Sequence, residues 1–373
     1  MGGLARVDPE FWRGRRVLIT GHTGFKGAWL ACILSRWGAN VFGIGLAPET
    51  TPSLFVQLAP WSNLDSRLVD IRDRQALASA VAEADPEVVF HLAAQALVRR
   101  SYREPVETLA SNVLGTVHLL DALRGSRRLR VILLITSDKV YRNINDGGAF
   151  CEDAPLGGDD PYSASKACAE IVAHAWSASG FLPSQVRLAT ARAGNVLGGG
   201  DFAEDRLICD VIRAAVNGHA LTLRSPAATR PWQHVLDVAR AYLLYGQALL
   251  DDTAELPATL NIGPGGGTRH TVAQTVKAFI TALGADVRIE ITPASETPEK
   301  EFLALDPAAA ASAIGWHSHL DFSETIAWSA AWYRAVLRDK VGARQLTEEQ
   351  IDRYFEEVAC SPDLSYVADA PRR

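Results

Sequence analysis

The sequence predicts an α/β protein: a doubly wound parallel sheet followed by a smaller mixed α/β lobe. Three observations predict it. Short apolar strands alternate with helix-length segments through the first half of the chain, the pattern of βα units sharing a parallel sheet. The first strand, Arg16–Thr20, runs through Gly21-His22-Thr23-Gly24-Phe25-Lys26-Gly27 directly into a helical segment, Ala28–Leu34. Beyond Gly194 the alternation breaks down into shorter, irregular elements.

Composition sets the bounds. A chain of 373 residues, 48% hydrophobic and 21% charged, is long enough for two lobes around a large core. Its formal net charge of -6 argues against nucleic acid or an anionic membrane as partner. Cys32, Cys151, Cys168, Cys209 and Cys360 are scattered, with no Cys-x-x-Cys. That argues against a disulfide framework or a zinc site and fits a reducing cytoplasm, with no metal expected. The residues from Met1 to Arg6 form no apolar signal core, and Arg6 stands where a myristoylation motif wants Ser or Thr. No apolar run approaches membrane-spanning length.

The glycine turn permits tight backbone curvature and close approach to a pyrophosphate, and the helix behind it offers free N–H groups. Its spacing, Gly-x-x-Gly-x-x-Gly, is one residue looser than the commoner Rossmann form. His22 either lies beside an adenosine ribose or faces solvent. The second strand, Asn40–Gly45, ends in apolar Leu46-Ala47; neither Glu49 nor Arg36 decides between NAD and NADP. Leu68–Asp73 reads as a third strand and turn, with Asp70 and Ile71 placed to meet an adenine, and Asp73 able to cap the helix Arg74–Ala84. Glu87–Gln95 is a fourth strand opening onto small residues, and Pro105–Leu123 a helix with Asn112 in its apolar stretch. Val131–Thr136 and Leu188–Arg192 are the fifth and sixth strands.

The second half reads as a glycine-rich loop, Gly194–Asp201; a helix, Asp205–Asn217, closed by Gly218; a strand, Leu221–Arg224; and a turn, Arg230–Val235. The helix Val238–Leu249 would pack back on the first lobe, followed by a strand at Leu260–Pro264. Thr271 opens a capped helix to Leu283, Val287–Ile291 is a strand, and Pro293–Leu305 is a Glu-rich loop. Thr347-Glu-Glu-Gln350 reads as a second capping box, before an apolar face of Ile351, Tyr354, Phe355 and Val358. The expected division is 1–190 as the dinucleotide-binding part with 235–262 packed on it, 191–234 and 263–345 as the substrate lobe, and 346–373 as C-terminal helix and tail. The first few residues and the tail after Ser361 are expected to be disordered.

The chain is organised around Val131–Lys166. A strand of the doubly buried type delivers Ser137, Asp138 and Lys139 to its carboxyl end, where a Rossmann-type sheet binds ligands. Downstream, Tyr162 and Lys166 stand one helical turn apart on one face. Each pair alone could be a surface pair or a turn and N-cap.

Together these residues resemble the extended short-chain dehydrogenase/reductase superfamily. The resemblance rests on Gly21-x-x-Gly24-x-x-Gly27, Asp70-Ile71, His91-Leu92-Ala93-Ala94-Gln95, Asn112 and Tyr162-x-x-x-Lys166, and covers approximately residues 10–340. Within it, Gly21–Gly27, Thr136-Ser137-Asp138-Lys139-Val140-Tyr141 and Gly157–Lys166 are most similar to the CDP-glucose 4,6-dehydratases. Related TDP- and GDP-hexose dehydratases usually carry an acidic residue where Lys139 stands.

The resemblance implies a lyase that converts CDP-glucose to a 4-keto-6-deoxy sugar with bound NAD, in a homodimer or homotetramer paired through Pro105–Leu123 and Tyr162–Ser177. The implied cofactor set is Gly21, His22, Thr23, Gly24, Phe25, Lys26, Gly27, Asp70, Ile71, Leu92, Ala93, Ala94, Gln95, Asn112, Tyr162 and Lys166. Oxidising a sugar alcohol needs a base, and a tyrosine of pKa about 10 is a poor one unless a neighbouring ammonium lowers it. Lys166 is placed to do so, and Ser137 to hydrogen-bond the same sugar oxygen. Asp138 is implied as acid at the C6 hydroxyl. Lys139 would act at C5, either as a neutral base or as a cation stabilising the enolate. Asn195, Arg206, Arg230 and His234 are the implied substrate anchors, with Arg230 suited to a diphosphate. Trp232 and Trp316 either stack on the base or pack the lobe; Glu301 and Arg99 rank lower. The rival readings are a dehydratase, epimerase or decarboxylase of another nucleotide sugar, and a silent NAD-binding sensor. A sensor has no need of Ser137, Asp138, Lys139, Tyr162 and Lys166 together.

Overall fold

The computed structural model describes residues 6–145, 147–251, 255–265, 269–292 and 300–360. The N-terminal residues up to Ala5, the tail after Cys360 and most of the Pro293–Leu305 loop lie outside them.

Seven strands form one parallel sheet, in the spatial order Thr259–Ile262, Arg187–Ala193, Val131–Ile135, Val88–His91, Arg16–Thr20, Asn40–Gly45, Leu64–Leu68. Every pairing is parallel, so each connection must cross over, and helices cover both faces. That coverage explains why Val131–Ile135 is buried at all five positions. The order reverses at Arg16–Thr20, whose chain neighbour Asn40–Gly45 lies on one side and Val88–His91 on the other. In an open α/β sheet, this reversal leaves a crevice at the carboxyl ends of the strands.

Most predicted elements occur near their expected bounds, and three departures are informative. The third strand is Leu64–Leu68, not Leu68–Asp73. It is the sheet's edge and is exposed at four of its five positions, so its polar Asp65-Ser66-Arg67 shows no apolar alternation to read. Asp70 and Ile71 follow it in a turn. The helix after Pro105 contains a wide π turn, Ala110–Leu114, between Pro105–Leu109 and Gly115–Leu123. The final helix is Ala343–Cys360, starting one turn before the expected box. Thr347 is therefore no N-cap. Its hydroxyl donates to the Ala343 carbonyl at 2.7 Å and accepts from Trp332 Nε1 at 3.0 Å.

Where local signals sufficed, the caps are as expected. Asp73 accepts from the backbone N–H groups of Gln75 and Ala76, and Thr271 and Gln274 form a reciprocal capping box. Gly218 ends its helix with φ of 68°, a conformation that favours glycine.

A buried polar knot fastens the last helix to Val235–Asp251. Asp237 Oδ1 accepts from Tyr354 Oη at 2.7 Å and His319 N at 2.6 Å, and Oδ2 from Leu320 N at 3.3 Å. Arg240 donates to Tyr354 Oη at 3.0 Å and to the His317 carbonyl. Asp237→Asn points an amide N–H₂ at a donor and should lower unfolding free energy by about 1–3 kcal/mol, read as a lower urea midpoint at unchanged slope. Trp316, also fully buried, donates to the Asp237 carbonyl at 3.1 Å, so it packs rather than stacks on a ligand.

Candidate active site

A cavity of about 560 Å³ opens along the carboxyl ends of the sheet. Its walls come from the glycine turn, the ends of the second to sixth strands in the chain, and the segment from Ala193 to Asp210. All five candidate catalytic residues line it, as do Gly21, Thr23, Gly24, Phe25, Lys26, Gly27, Asp70, Ile71, Leu92, Ala93, Ala94, Gln95, Asn195, Arg206 and Arg230.

At the glycine end, close packing dictates residue type. Gly21 has φ of +75°, and a Cβ there would lie 2.7 Å from Ala93 N; one on Gly27 would lie 2.1 Å from Gly21 O. Helix and strand are therefore in backbone contact, and no side chain caps the helix Phe25–Arg36 behind Gly24. Its N–H groups face the cavity, ready for an anion. Gly27→Ala should weaken dinucleotide binding by roughly tenfold or more, since overpacking costs 1–3 kcal/mol; calorimetric titration with NAD checks this.

At the opposite end, the strand Val131–Ile135 terminates in Thr136, and a short 3₁₀ turn presents Asp138 and Lys139. Ser137 caps that turn: its Oγ accepts from Lys139 N at 3.2 Å and lies 3.0 Å from Asp138 Oδ1. The helix Pro161–Ala178 is started by Asp160, which accepts from Ser163 N at 2.9 Å, and by Pro161 in its first turn. It buries Tyr162, Lys166 and Glu170 along one face.

Burial governs the electrostatics. Asp138 is 3% exposed. Burial raises its carboxyl above the ordinary range despite Lys139, the Ser137 hydrogen bond, Arg230 and Lys26 acting the other way. Among the described residues, no group hydrogen-bonds its Oδ2. Burial pushes Lys166 down to about 8, with Glu170 opposing. Its Nζ donates to the Ile135 carbonyl at 3.1 Å, an acceptor that no sequence pattern reveals. Burial likewise pushes Lys26 down to about 7, helped by Lys166 and Arg206 and opposed by Asp138. Lys26, expected only as a cofactor contact, thus stands among the catalytic charges.

Tyr162 departs from expectation. Its phenol is raised, not lowered: burial outweighs the Ser137 hydrogen bond and the Arg206 charge. The Lys166 ammonium donates to the Ile135 carbonyl. Arg206, expected only as a substrate anchor, therefore also bears on the tyrosine.

Three expected contacts are not on the cavity wall. The His22 ring turns into the space left by side-chain-free Gly43. There its Nε2 meets Ser66 Oγ at 2.7 Å, and the ring edges onto Phe55. Asn112 is buried in the π turn. It donates to the Gln95 carbonyl at 2.9 Å and Ser165 Oγ at 2.8 Å, and accepts from Gln95 N at 2.8 Å. It pins the fourth strand's exit to the Tyr162–Lys166 turn rather than touching a ligand. His234 is fully buried between Trp29 and Trp328, and burial pushes it down to about 3. A neutral, enclosed imidazole cannot anchor a diphosphate.

The remaining expectations divide by geometry. Ile71 lines the cavity while its tip packs over Gly115, and Asp70 is held by Arg72 at 2.6 Å. Arg36 is committed to Asp352 and Glu348 on the last helix, whereas Glu49 is on the cavity wall, paired to Arg100 at 3.0 Å. Arg99 pairs with Asp205 at 2.9 Å, joining the two sides of the cavity mouth. Trp232 lines the cavity.

Comparison with known proteins agrees with this geometry. The chain is 42% identical over 337 residues to the CDP-glucose 4,6-dehydratase of Salmonella typhimurium, covering 89% of this chain and 94% of that protein. It is 31% identical to the dTDP-glucose 4,6-dehydratase of Streptomyces antibioticus, over 71% of this chain and 75% of the other. Among solved structures, the UDP-glucose 4-epimerase of Thermus thermophilus in complex with NAD superposes with a TM-score of 0.72 at 26% identity, covering 85% of this chain and 98% of that one. The GDP-mannose 4,6 dehydratase family model matches residues 18–328. With glycine cradle, tyrosine–lysine helix and acid–lysine turn assembled on one cavity inside that span, the chain belongs to the GDP-mannose 4,6 dehydratase family.

Proposed function

We propose that this protein is a nucleotide-sugar 4,6-dehydratase, a hydro-lyase that converts CDP-D-glucose to CDP-4-dehydro-6-deoxy-D-glucose. One observation carries the reading: Asp138 and Lys139 meet Ser137, Tyr162 and Lys166 on a cavity whose far end is a glycine cradle. The similarity to the Salmonella protein supports a CDP-sugar.

The residues present fit a dinucleotide. The Gly21–Gly27 contact leaves no room for side chains, and the uncapped helix end receives a pyrophosphate. Asp70, Ile71 and Leu92–Gln95 border the adenosine and nicotinamide paths. NAD is favoured because Arg36 is tied to the last helix while acidic Glu49 borders the cavity. When bound, NAD supplies a two-electron acceptor that takes hydride from C4 and returns it at C6, so none is consumed overall.

Tyr162 takes the C4 hydroxyl proton, with Ser137 holding the same oxygen and Lys166 and Arg206 supplying positive charge around the phenolate. The C4 ketone then acidifies C5. Asp138, whose raised carboxyl keeps its proton longer than an ordinary acid, donates to the C6 hydroxyl as it leaves as water. Lys139 faces C5, where elimination needs a group to accept or balance the charge freed from the C–H bond. Arg230, Arg206 and Asn195 hold the nucleoside diphosphate. Incubation with CDP-, TDP-, UDP- and GDP-hexoses, following the 4-keto product by its absorbance in base, tests the reading. Turnover of another sugar but not CDP-glucose would sink the substrate assignment.

We infer two further properties of the working enzyme. Val106, Leu109, Leu114 and Ile171 are exposed apolar residues on the helices around the π turn and on Pro161–Ala178, which supports pairing into a homodimer or homotetramer there. Sedimentation equilibrium would decide it. All five cysteines are unpaired, which supports a reducing cytoplasm. Among the described residues, no helix is long and apolar enough to cross a membrane.

A further inference from the structure

A second buried cluster lies behind the active site, and the catalytic steps above do not use it. Glu170 is 5% exposed and sits one turn after Lys166 on the same helix face. Its Oε1 accepts from the hydroxyl of Thr136, the residue immediately before Ser137. Its Oε2 accepts from Thr190 Oγ1 at 2.8 Å and from Arg192 Nη2 at 3.0 Å. Arg192, 4% exposed, is held in turn by Tyr141 Oη at 2.8 Å and the Glu152 carbonyl at 2.9 Å. A buried ion pair of this kind is weak evidence of stability, because desolvation offsets most of its attraction. Its placement suggests a different role.

We propose that Glu170 is a positioning residue for the reaction: through Thr136 it ties the Ser137-Asp138-Lys139 turn to the Tyr162–Lys166 helix, and it supplies the counter-charge to Lys166. The two catalytic halves lie on different elements, and Glu170 touches the first while standing one turn from the second. Among the described residues, no other carboxylate acts on Lys166 in this way. Around that ammonium lie Tyr162 on its own helix, the Ile135 carbonyl on the fifth strand, neutral His91 on the fourth, and Lys26 from the first βα helix. Glu170 itself faces Arg192, Thr136, Thr190 and, from Val235–Asp251, Tyr245. Of these groups, the Glu170 charge is the one that favours protonated Lys166.

The proposal rests on the dehydratase reading for its kinetic arm but not for its main test. The chain has six lysines, Lys26, Lys139, Lys166, Lys277, Lys300 and Lys340, few enough to follow by NMR with ¹³C-lysine, Lys166 being assigned through Lys166→Arg. Glu170→Gln should move the Lys166 titration midpoint down by roughly one pH unit, while Glu170→Asp, which keeps the charge, should leave it near the wild-type value. If Glu170→Gln does not fold, the double variant Glu170→Gln/Arg192→Met removes both buried charges and should still lower the midpoint. An unmoved midpoint in a folded variant overturns the counter-charge role. In the kinetic arm, the alkaline limb of kcat should follow the midpoint with KM within about twofold. Thr136→Val, with the charge intact, should lower kcat about tenfold without moving the limb; an unchanged kcat overturns the tie to the turn. Failure of every nucleotide sugar to turn over would sink the dehydratase reading, whereas the Lys166 titration needs no substrate.

Discussion

Tyr162→Phe abolishes turnover of CDP-glucose, with the rate falling by about 10²–10⁴-fold, the usual range for loss of a general acid–base group. The ring fills the same buried position, so folding and dinucleotide binding should change little; calorimetry and thermal melting confirm this before kinetics are compared. Burial holds the phenol above its ordinary range, so its service as a base depends on the positive charge that Lys166 and Arg206 bring around it. Ser137 is a weaker base still, and the Lys166 Nζ is engaged with the Ile135 carbonyl. In the wild type, the rate should also fall on the alkaline side as Lys166, at about 8, loses its proton and its charge. A Tyr162→Phe enzyme retaining a tenth of its activity would show that the proton leaves by another route.

Asp138→Asn separates the two halves of the reaction. The amide fits the same space and keeps a hydrogen bond from Ser137, but it cannot deliver a proton to the C6 hydroxyl. Elimination should slow by about 10²–10⁴-fold, while oxidation at C4 persists because Tyr162, Ser137 and Lys166 are untouched. The signature in a single turnover is nicotinamide absorbance that rises and then stays, instead of rising and decaying. The raised carboxyl adds a pH test. A carboxyl held above its usual value keeps its proton to higher pH than an ordinary one, so the wild-type elimination step should decline on the alkaline side as Asp138 ionises, a limb that Asp138→Asn removes. If Asp138→Asn left the overall rate unchanged, the proton would have to come from elsewhere.

Much of the site was legible because it rests on local signals. Gly21, Gly24 and Gly27 stand where backbone meets backbone, and a strand–turn–helix context is readable from a dozen residues. Tyr162 and Lys166 share a helix face by spacing alone. Ser137–Lys139 are placed by the end of an apolar run. The misreadings share a cause. His22, Asn112 and His234 are polar residues near the right loops, yet each turns away from the cavity to satisfy a partner or fill a space supplied by a distant part of the chain. His22 occupies the gap at Gly43, Asn112 reaches Gln95 and Ser165, and His234 is enclosed by two tryptophans far from it in sequence, Trp29 and Trp328.

The sequence by itself determined the alternation of strand and helix, the glycine cradle and the identity of the reacting side chains, because periodicity and turn chemistry act over a few residues. Only the tertiary structure decided how those side chains are tuned. Burial raises Tyr162 and Asp138 and lowers Lys166 and Lys26, since desolvation depends on everything packed around a group. The link from Glu170 to Thr136 joins residues 34 apart in sequence. A buried carboxylate must find its donors wherever the fold brings them, and no local pattern records where that is.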